Sequence, residues 1–163
     1  MANKAHTAQI DWQRGDSSFT DQRYSRVHRW RFDGGLEVLA SASPAIVRVP
    51  YSDPAAVDPE EAFVASLASC HMLWFLDLAA REGVQIERYA DHAEGFLATR
   101  PDGKLWLARV RLRPAVAVSG TRRPDDTLMQ HLHHRAHEDC FLANALKADM
   151  TVEPRWTYEP AEV

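Results

Sequence analysis

Hydrophobic and polar residues alternate through the first third of the chain, which is the pattern of half-buried β-strands. The alternating segments are HTAQIDWQR, YSRVHRWRF and LEVLASAS. An Asp-Gly-Gly sequence at residues 33–35 separates the second segment from the third, and such a sequence between two alternating runs indicates a hairpin. We therefore predict three strands before the first helix.

A long apolar helix is predicted over residues 58–82. Asp58 suits the N-cap, Pro59 the first helical position, and Glu61 completes a capping box, while Gly83 ends the helix. Residues 63–80 are apolar on nearly all faces, which indicates burial on all faces. A helix of about 37 Å is hard to enclose within one small domain, so this pattern favours a partner subunit that covers one side.

The second half alternates strands with one further helix. We predict two long strands, one in VQIERYADHAEGFLATR and one in KLWLARVRLRPAVAVSG. We predict a second helix in TRRPDDTLMQHLHHRAHEDC and a last strand in ADMTVEPRWTYEP. Residues 144–147 form a further candidate helical piece. The resulting order βββαββαβ predicts an α+β fold with a mostly antiparallel sheet, in a single domain over residues 1–163.

Composition and charge exclude several classes of protein for this chain. The chain has 163 residues, of which 45% are hydrophobic and 26% charged, as in a globular domain. Its net charge of -4 argues against a nucleic-acid partner, which usually requires a basic surplus. The N-terminus lacks an apolar secretion signal and the longest apolar run, 72–76, is too short for a bilayer. We therefore expect a cytoplasmic protein that does not contact a membrane.

Cys70 and Cys140, the two cysteines of the chain, are candidates for chemistry. A cytosolic cysteine is more often a small buried hydrophobe, and Cys70 in mid-helix gains nothing from the helix dipole. A reactive Cys70 would need a cation from elsewhere, most simply an arginine. If the fold brings the two thiols together, the pair could act as in a thiol peroxidase, in which one thiolate attacks a peroxide and the other thiol then forms a disulfide with it. The spacing of the two cysteines in the sequence does not show whether they come close enough to bridge.

A histidine-rich segment offers a competing metal hypothesis. His133, His137 and Cys140 fall on one helical stripe, and their side chains are of the type that binds zinc. The spacing matches no recognised zinc signature, so a solvated helix face is favoured. No metal and no cofactor are predicted.

Acidic and basic residues near the first helix have ordinary structural interpretations. Glu60 complements the helix N-terminus, and it precedes Cys70 by about 15 Å along the axis. Arg26 lies in an arginine-rich predicted strand, and Arg48 lies in the loop before the helix. Each is more often a surface charge than a catalytic group.

Two motifs resemble a known family. Asp-Pro-Glu-Glu at residues 58–61, the ten-residue step from Glu60 to Cys70, and Ala-His-Glu-Asp-Cys at 136–140 resemble the OsmC-like proteins. These are the osmotically inducible protein C and organic hydroperoxide resistance proteins. The resemblance implies an intertwined homodimer in which antiparallel sheets wrap long central helices, with active sites at the dimer interface.

The resemblance also implies roles for single residues. Cys70 would be the peroxide-attacking cysteine and Cys140 the resolving cysteine, while Glu60 would hold the catalytic arginine. Arg26 is the favoured arginine and Arg48 the alternative. The implied activity is reduction of organic hydroperoxides, with an external dithiol of the lipoyl type as reductant.

Some residues depart from the two best-known branches of the family. His-Met follows Cys70 and Phe-Leu-Ala-Asn follows Cys140, which indicates a less characterised branch. An apolar lining for the substrate is predicted from Phe63, Leu67, Leu73 and Trp74. The alternative hypothesis is a non-enzymatic dimer with the same fold, either a redox sensor or a protein that binds a small apolar ligand.

Overall fold

A computed structural model describes residues 5–160 of the chain. These residues form helices and mixed sheets, which confirms the predicted α+β class. The chain divides into two compact units, Met1–Ala62 and Phe63–Val163. The single domain over residues 1–163 stays a prediction, and its first and last residues lie outside the described range.

The first unit carries a three-stranded antiparallel sheet. Its strands are β1 (Ala8–Asp11), β2 (His28–Phe32) and β3 (Glu37–Ala40), in the order β1-β2-β3. The turn between β2 and β3 is closed by a hydrogen bond from Phe32 N to Leu36 O at 3.0 Å. Gly35 adopts φ 84°, a conformation that favours glycine, so the predicted Asp-Gly-Gly hairpin is confirmed.

Helix α1 spans Pro59–Arg81 and follows the predicted bounds closely. Asp58 N donates to Glu61 Oε2 at 3.1 Å and Glu61 N donates to Asp58 Oδ1 at 2.8 Å, which is a reciprocal capping box. Gly83, with φ 70°, follows the helix end.

Burial on α1 is one-sided within the chain. The buried residues are Val64, Leu67, His71, Phe75, Leu78 and Ala79. Ser66, Ser69 and Leu73 on another face are exposed. One chain therefore buries one side of α1 and leaves another side exposed, so burial on all faces stays a prediction that needs the expected partner subunit.

The two long strands and the last strand predicted for the second half are each divided in two. The strands are β4 (Gln85–Asp91), β5 (Glu94–Thr99), β6 (Leu105–Leu112), β7 (Pro114–Gly120), β8 (Asp149–Val152) and β9 (Arg155–Pro160). The corner between β6 and β7 is held by Asp91 Oδ1, which accepts from Arg113 N at 2.7 Å. Pro154, which lacks an N–H, separates β8 from β9. The order βββαββαβ is thus corrected to βββαββββααββ.

These six strands form two sheets in the second unit. Their orders are β4-β7-β9 and β5-β6-β8. The pairs β4–β7 and β5–β6 are antiparallel, while β6–β8 and β7–β9 are parallel. The expected mostly antiparallel pairing therefore holds, with β8 and β9 added in parallel at the two edges.

Two helices join at Cys140. Helix α2 spans Asp126–Asp139, and Asp125 caps its start by accepting from Leu128 N at 2.7 Å. Helix α3 spans Phe141–Asn144, earlier than the predicted 144–147. Cys140 has an extended backbone, ends α2 and caps α3, so it separates the two helices.

The second unit contains two buried apolar clusters. The first joins α1, β7 and α2 through Phe75, Leu78, Ala79, Val84, Val116, Val118, Met129, Leu132 and Ala136. The second joins α1, β6 and the α2–α3 junction through Val64, Leu67, Val110, Leu112 and Cys140. Packing in the second cluster fixes the position of Cys140 relative to α1.

Among the described residues, α1 is the one helix that is long and apolar enough to cross a membrane, with a mean hydropathy of 1.5. The core helices of soluble proteins meet the same criterion, so this is weak evidence for a membrane span.

Candidate active site

The two cysteines meet in the second unit. The Cys140 thiol donates a hydrogen bond to Cys70 Sγ, with the sulfur atoms 2.8 Å apart. Both are free thiols, and the separation exceeds the 2.05 Å typical of a disulfide bond. The fold therefore joins two residues whose proximity the sequence left open, and they are close enough to form a disulfide with little movement.

The two thiols differ in burial. Cys140 is fully buried, whereas Cys70 is partly exposed. Burial, and next the hydrogen bond to Cys70, raise the pKa of the Cys140 thiol, although a hydrogen bond from Ala143 N acts in the opposite direction. Cys140 therefore stays protonated near neutral pH, and Cys70 is the thiol that a reagent in solution can reach.

Cys70 opens onto an apolar cavity of about 520 Å³. The cavity is lined by Ser66, Ser69, Cys70, Leu73, Trp74, Asp77, Arg81 and Phe141. The rings of Trp74 and Phe141 pack edge to face with centroids 5.6 Å apart. Leu73 and Phe141 are 61% and 73% exposed, so the apolar wall is open to an incoming molecule.

The predicted apolar lining is correct for only two of its four residues. Leu73 and Trp74 line the cavity. Leu67 is fully buried in the second cluster instead, and Phe63 is not among the lining residues. Phe141, which the sequence-based lining missed, is brought there by the turn at Cys140.

Among the described residues that line this cavity, Arg81 is the one with a positively charged side chain. Its Nη2 atom lies 2.7 Å from Asp77 Oδ2 in an exposed ion pair one helical turn away. Arg81 also follows Cys70 by about 16 Å along the helix axis. It is therefore poorly placed to stabilise a thiolate at Cys70.

Arg26 lies two residues before β2, not in the strand as predicted, and its surroundings differ from those of the arginines in β2. It is half-buried, its Nη1 atom donates to Gln22 O at 2.7 Å and to Tyr24 O at 2.5 Å, and its guanidinium lies 3.8 Å from the centre of the Tyr24 ring. In contrast, Arg29 and Arg31 form exposed ion pairs with Glu37. Arg26 is thus held in the first unit without an ion pair to any described residue.

Arg48, the alternative arginine, is exposed. Its guanidinium lies 5.8 Å from the centre of the Tyr51 ring. Nothing else in the described chain fixes its guanidinium.

Glu60 and its neighbour Glu61 have different surroundings. The Oε2 atom of Glu60 is buried and has no hydrogen-bond partner among residues 5–160. The Glu61 carboxylate is used by the capping box. Glu60 therefore has a free buried oxygen to offer a cation, which fits the role that the family resemblance implies.

The sequence matches a family model described as OsmC-like protein over residues 52–155. The chain belongs to the OsmC-like family. Proteins of this family are soluble and typically dimeric. No curated protein sequence matches the chain.

Solved structures agree with the family assignment. An OsmC-like protein of unknown function from Vibrio cholerae is 49% identical, with a TM-score of 0.90 over 93% of this chain and 99% of that one. The organic hydroperoxide resistance protein OsmC from Legionella pneumophila is 17% identical, with a TM-score of 0.64 over 96% and 99% of the two chains. The organic hydroperoxide resistance protein OhrB of Bacillus subtilis is 19% identical, with a TM-score of 0.57 over 93% and 98%. These last two establish a shared OsmC-like fold.

This OsmC-like chain also contains a buried histidine pair that the sequence analysis missed. His71 Nε2 and His133 Nδ1 are 3.2 Å apart, and the His133 ring stacks on Phe75. Burial, followed by the nearby His137, lowers the pKa of His71 to about 4. Burial, followed by His71, lowers the pKa of His133 to about 3. Both rings are therefore neutral at pH 7.

The four-residue spacing of each histidine from buried apolar residues of its own helix could have revealed this pair. His71 is four residues from both Leu67 and Phe75, which places it on the buried face of α1. His133 is likewise four residues from Met129, another buried residue.

The metal hypothesis does not gain support from the OsmC-like fold. The Cys140 thiol contacts Cys70, and His133 contacts His71, so two of the three candidate ligands already have protein partners. Across residues 5–160, no group of three or more His, Cys, Asp or Glu side chains could hold a metal ion.

Proposed function

We propose that this OsmC-like protein is a thiol-dependent peroxidase that reduces organic hydroperoxides to alcohols. The observation that carries the proposal is the 2.8 Å contact between the thiols of Cys70 and Cys140. One thiol of the pair is accessible to a peroxide, and the other is buried beside it, within reach of the sulfenic acid that would form.

In the first step, the Cys70 thiolate attacks the terminal oxygen of the hydroperoxide. The S–O bond forms as the O–O bond breaks, so sulfur is oxidised to a sulfenic acid and the peroxide is reduced. The leaving alkoxide takes up a proton and departs as the alcohol. Cys70 is the attacking residue because it opens onto the 520 Å³ cavity, whereas Cys140 is fully buried.

In the second step, the Cys140 sulfur attacks the Cys70 sulfenic acid. The S–S bond forms, the S–O bond breaks, and the Cys140 proton leaves with the hydroxyl group as water. An external dithiol then reduces the disulfide by thiol–disulfide exchange and is itself oxidised. A reducing cytoplasm suits this cycle, and a lipoyl-type dithiol is the reductant that the family resemblance suggests.

The substrate class follows from the wall of the cavity. Leu73, Trp74 and Phe141 offer an apolar surface to the organic group of a hydroperoxide, which hydrogen peroxide lacks. Organic hydroperoxides are therefore the favoured substrates.

Glu60 and an arginine supply the charge stabilisation in this proposal. The buried, unpartnered Oε2 atom of Glu60 would position the guanidinium of Arg26, with Arg48 as the alternative. The guanidinium would stabilise the Cys70 thiolate and the developing negative charge on the peroxide.

A homodimer completes the site. The exposed face of α1 carries Ser66, Ser69 and Leu73 beside Cys70, and a second copy would cover it and exclude water. Light scattering at working concentrations should give twice the 18.4 kDa mass of the chain.

A thiol count tests the proposal directly. One equivalent of cumene hydroperoxide should remove both thiols of the wild type and should leave a trapped sulfenic acid on Cys70 in Cys140→Ser. Survival of both thiols would make the cysteines structural and end the peroxidase proposal. With excess dithiol and hydroperoxide, repeated turnover would also exclude the sensor alternative, which oxidises once.

A further inference from the structure

A second cavity in the same unit has no assigned role. It encloses about 690 Å³ between α2 and the strands β8 and β9, within the 300–1,000 Å³ typical of ligand pockets. Its lining residues include Met129, His133, His137, Met150, Arg155 and Trp156, and it shares no lining residue with the cavity at Cys70. The peroxidase proposal does not use it.

His133 brings an unsatisfied polar group to this cavity. The residue is only 4% exposed, and its Nδ1 atom faces His71 Nε2 at 3.2 Å. Its other ring nitrogen, Nε2, is buried without a hydrogen-bond partner in the described chain. The two nitrogens of an imidazole point to different sides of the ring, so Nε2 is directed away from His71. A buried polar group of this kind costs stability unless something satisfies it.

The contact with His71 limits which ring nitrogen of His133 carries the proton. His71 Nδ1 is also buried without a partner in residues 5–160. If His133 donated to His71, the proton of His71 would have to sit on that isolated Nδ1; if His71 donated, the proton of His133 would sit on the unpartnered Nε2, so each arrangement leaves one buried N–H without a protein acceptor. The arrangement in which His71 Nε2–H donates to His133 Nδ1 places the unpartnered N–H on a residue that lines the cavity, where a bound acceptor can satisfy it, whereas His71 is not among the lining residues. His133 then keeps its proton on Nε2, as a donor for the cavity.

Other lining groups favour an anionic acceptor. His137 Nδ1 is a second buried nitrogen with no partner among the described residues. Arg155 lines the same cavity and forms no ion pair with any residue in the described range. A ring N–H and a guanidinium that lack protein acceptors suit carboxylate oxygens.

The cavity also has apolar lining residues. Met129, Met150 and Trp156 provide a surface for a planar ring, since thioether groups pack well on aromatic edges. Trp156 Nε1 donates to Asp126 Oδ1 at 2.9 Å, which fixes the indole and places a carboxylate near the start of α2. His133 follows Asp126 by about 10 Å along the axis, so a bound anion would keep away from Asp126.

We propose that this cavity binds a small carboxylic acid that carries an aromatic ring. The carboxylate accepts from His133 Nε2–H and pairs with Arg155, while the ring packs against Met129, Met150 and Trp156. The site is independent of the thiol chemistry at Cys70.

Calorimetry with 2-naphthoate, and with the neutral 2-naphthamide as a matched probe, tests the proposal on the reduced full-length protein. Wild type should bind one naphthoate per chain, about tenfold or more tighter than the amide, because the amide cannot form the ion pair. Arg155→Gln should weaken naphthoate binding by a similar factor. Gln130→Trp, at an exposed lining position, should abolish it by filling the cavity.

Matched controls separate this site from the rest of the molecule. His131→Gln removes an exposed histidine of the same helix, and Phe141→Ala opens the other cavity; both should leave naphthoate affinity unchanged. Nitrogen-15 spectra should find His133 protonated on Nε2, with that signal shifting on titration. The proposal fails if wild type binds no naphthoate at about 1 mM, if acid and amide bind equally, or if Phe141→Ala abolishes binding while Gln130→Trp does not. Protonation of His133 on Nδ1 would also overturn it.

Discussion

Cys140 directs its thiol proton at Cys70 Sγ across 2.8 Å, although the two residues are seventy positions apart in the chain. The contact is fixed from both sides, since Cys140 caps α3 within the second apolar cluster and Cys70 lies on α1 beside the same cluster. Disulfide formation therefore needs only a small sulfur displacement and no rearrangement of a helix.

This proximity predicts resistance to overoxidation. With excess cumene hydroperoxide, wild type should stop at the Cys70–Cys140 disulfide, because Cys140 reaches the sulfenic acid before a second peroxide does. Cys140→Ser should continue to a sulfinic acid on Cys70, which intact-mass spectrometry detects as two added oxygen atoms. Equal sulfinic acid in both proteins would show that the pair does not act as a resolving couple.

Phe141 should control substrate preference. Phe141→Ala removes a 73% exposed ring that packs on Trp74, so it should cost little stability but lower kcat/KM for cumene hydroperoxide by about tenfold. The rate with hydrogen peroxide should hardly change, because that substrate makes no apolar contact. Trp106→Ala, which removes a partly exposed ring outside this cavity, is the control. A parallel loss for both peroxides in Phe141→Ala would contradict a role in selectivity.

Glu60 and Glu61 form a matched pair for testing the charge network. Glu61→Gln keeps the shape of the capping box but weakens it, and should lower the free energy of unfolding by about 0.5–1 kcal/mol with peroxidase activity retained. Glu60→Gln should lower that free energy by a similar or smaller amount, since its charge also lies in the first turn of α1, but should reduce activity, because Glu60 Oε2 has no structural partner in the described residues. Urea unfolding and steady-state kinetics on both variants separate the effects. Full activity in Glu60→Gln would remove Glu60 from the mechanism.

Gly95 should be sensitive to a single added methyl group. A Cβ at Gly95 would meet Val64 Cγ2 at 2.6 Å and Leu107 Cδ1 at 3.0 Å, and the β-branched Val64 adapts poorly. Gly95→Ala should therefore lower the free energy of unfolding by about 1–3 kcal/mol. Gly34→Ala, where a Cβ would meet no atom within 4 Å, should change it far less. Urea unfolding of both variants measures the difference, and equal effects would contradict the packing argument.

Local signals in the sequence predicted the elements better than their assembly. Asp58, Glu61 and Gly83 define the bounds of α1 because capping depends on neighbouring residues. The strand alternation continued through corners such as Arg113, so it could not reveal that each long strand divides between two sheets. The family resemblance implied roles for the cysteines, but their contact arises from packing in the second cluster, which residue spacing does not encode.

The buried histidine pair predicts a loss of stability in mild acid. The ordinary histidine pKa of 6.5 falls to about 4 for His71 and about 3 for His133 on folding. Below pH 6.5 the unfolded chain therefore binds more protons than the folded chain, and the free energy of unfolding decreases as the pH falls. From pH 7 to 5 the loss should reach about 2 kcal/mol for each histidine at most, since one pKa unit corresponds to 1.36 kcal/mol. Urea unfolding of the double variant His71→Met, His133→Met should show a weaker acid dependence than wild type, because replacing both partners by apolar groups leaves no buried polar atom at the site. His131→Gln, at an exposed position on α2, should retain the wild-type dependence. An unchanged acid dependence in the double variant would mean that other groups control it.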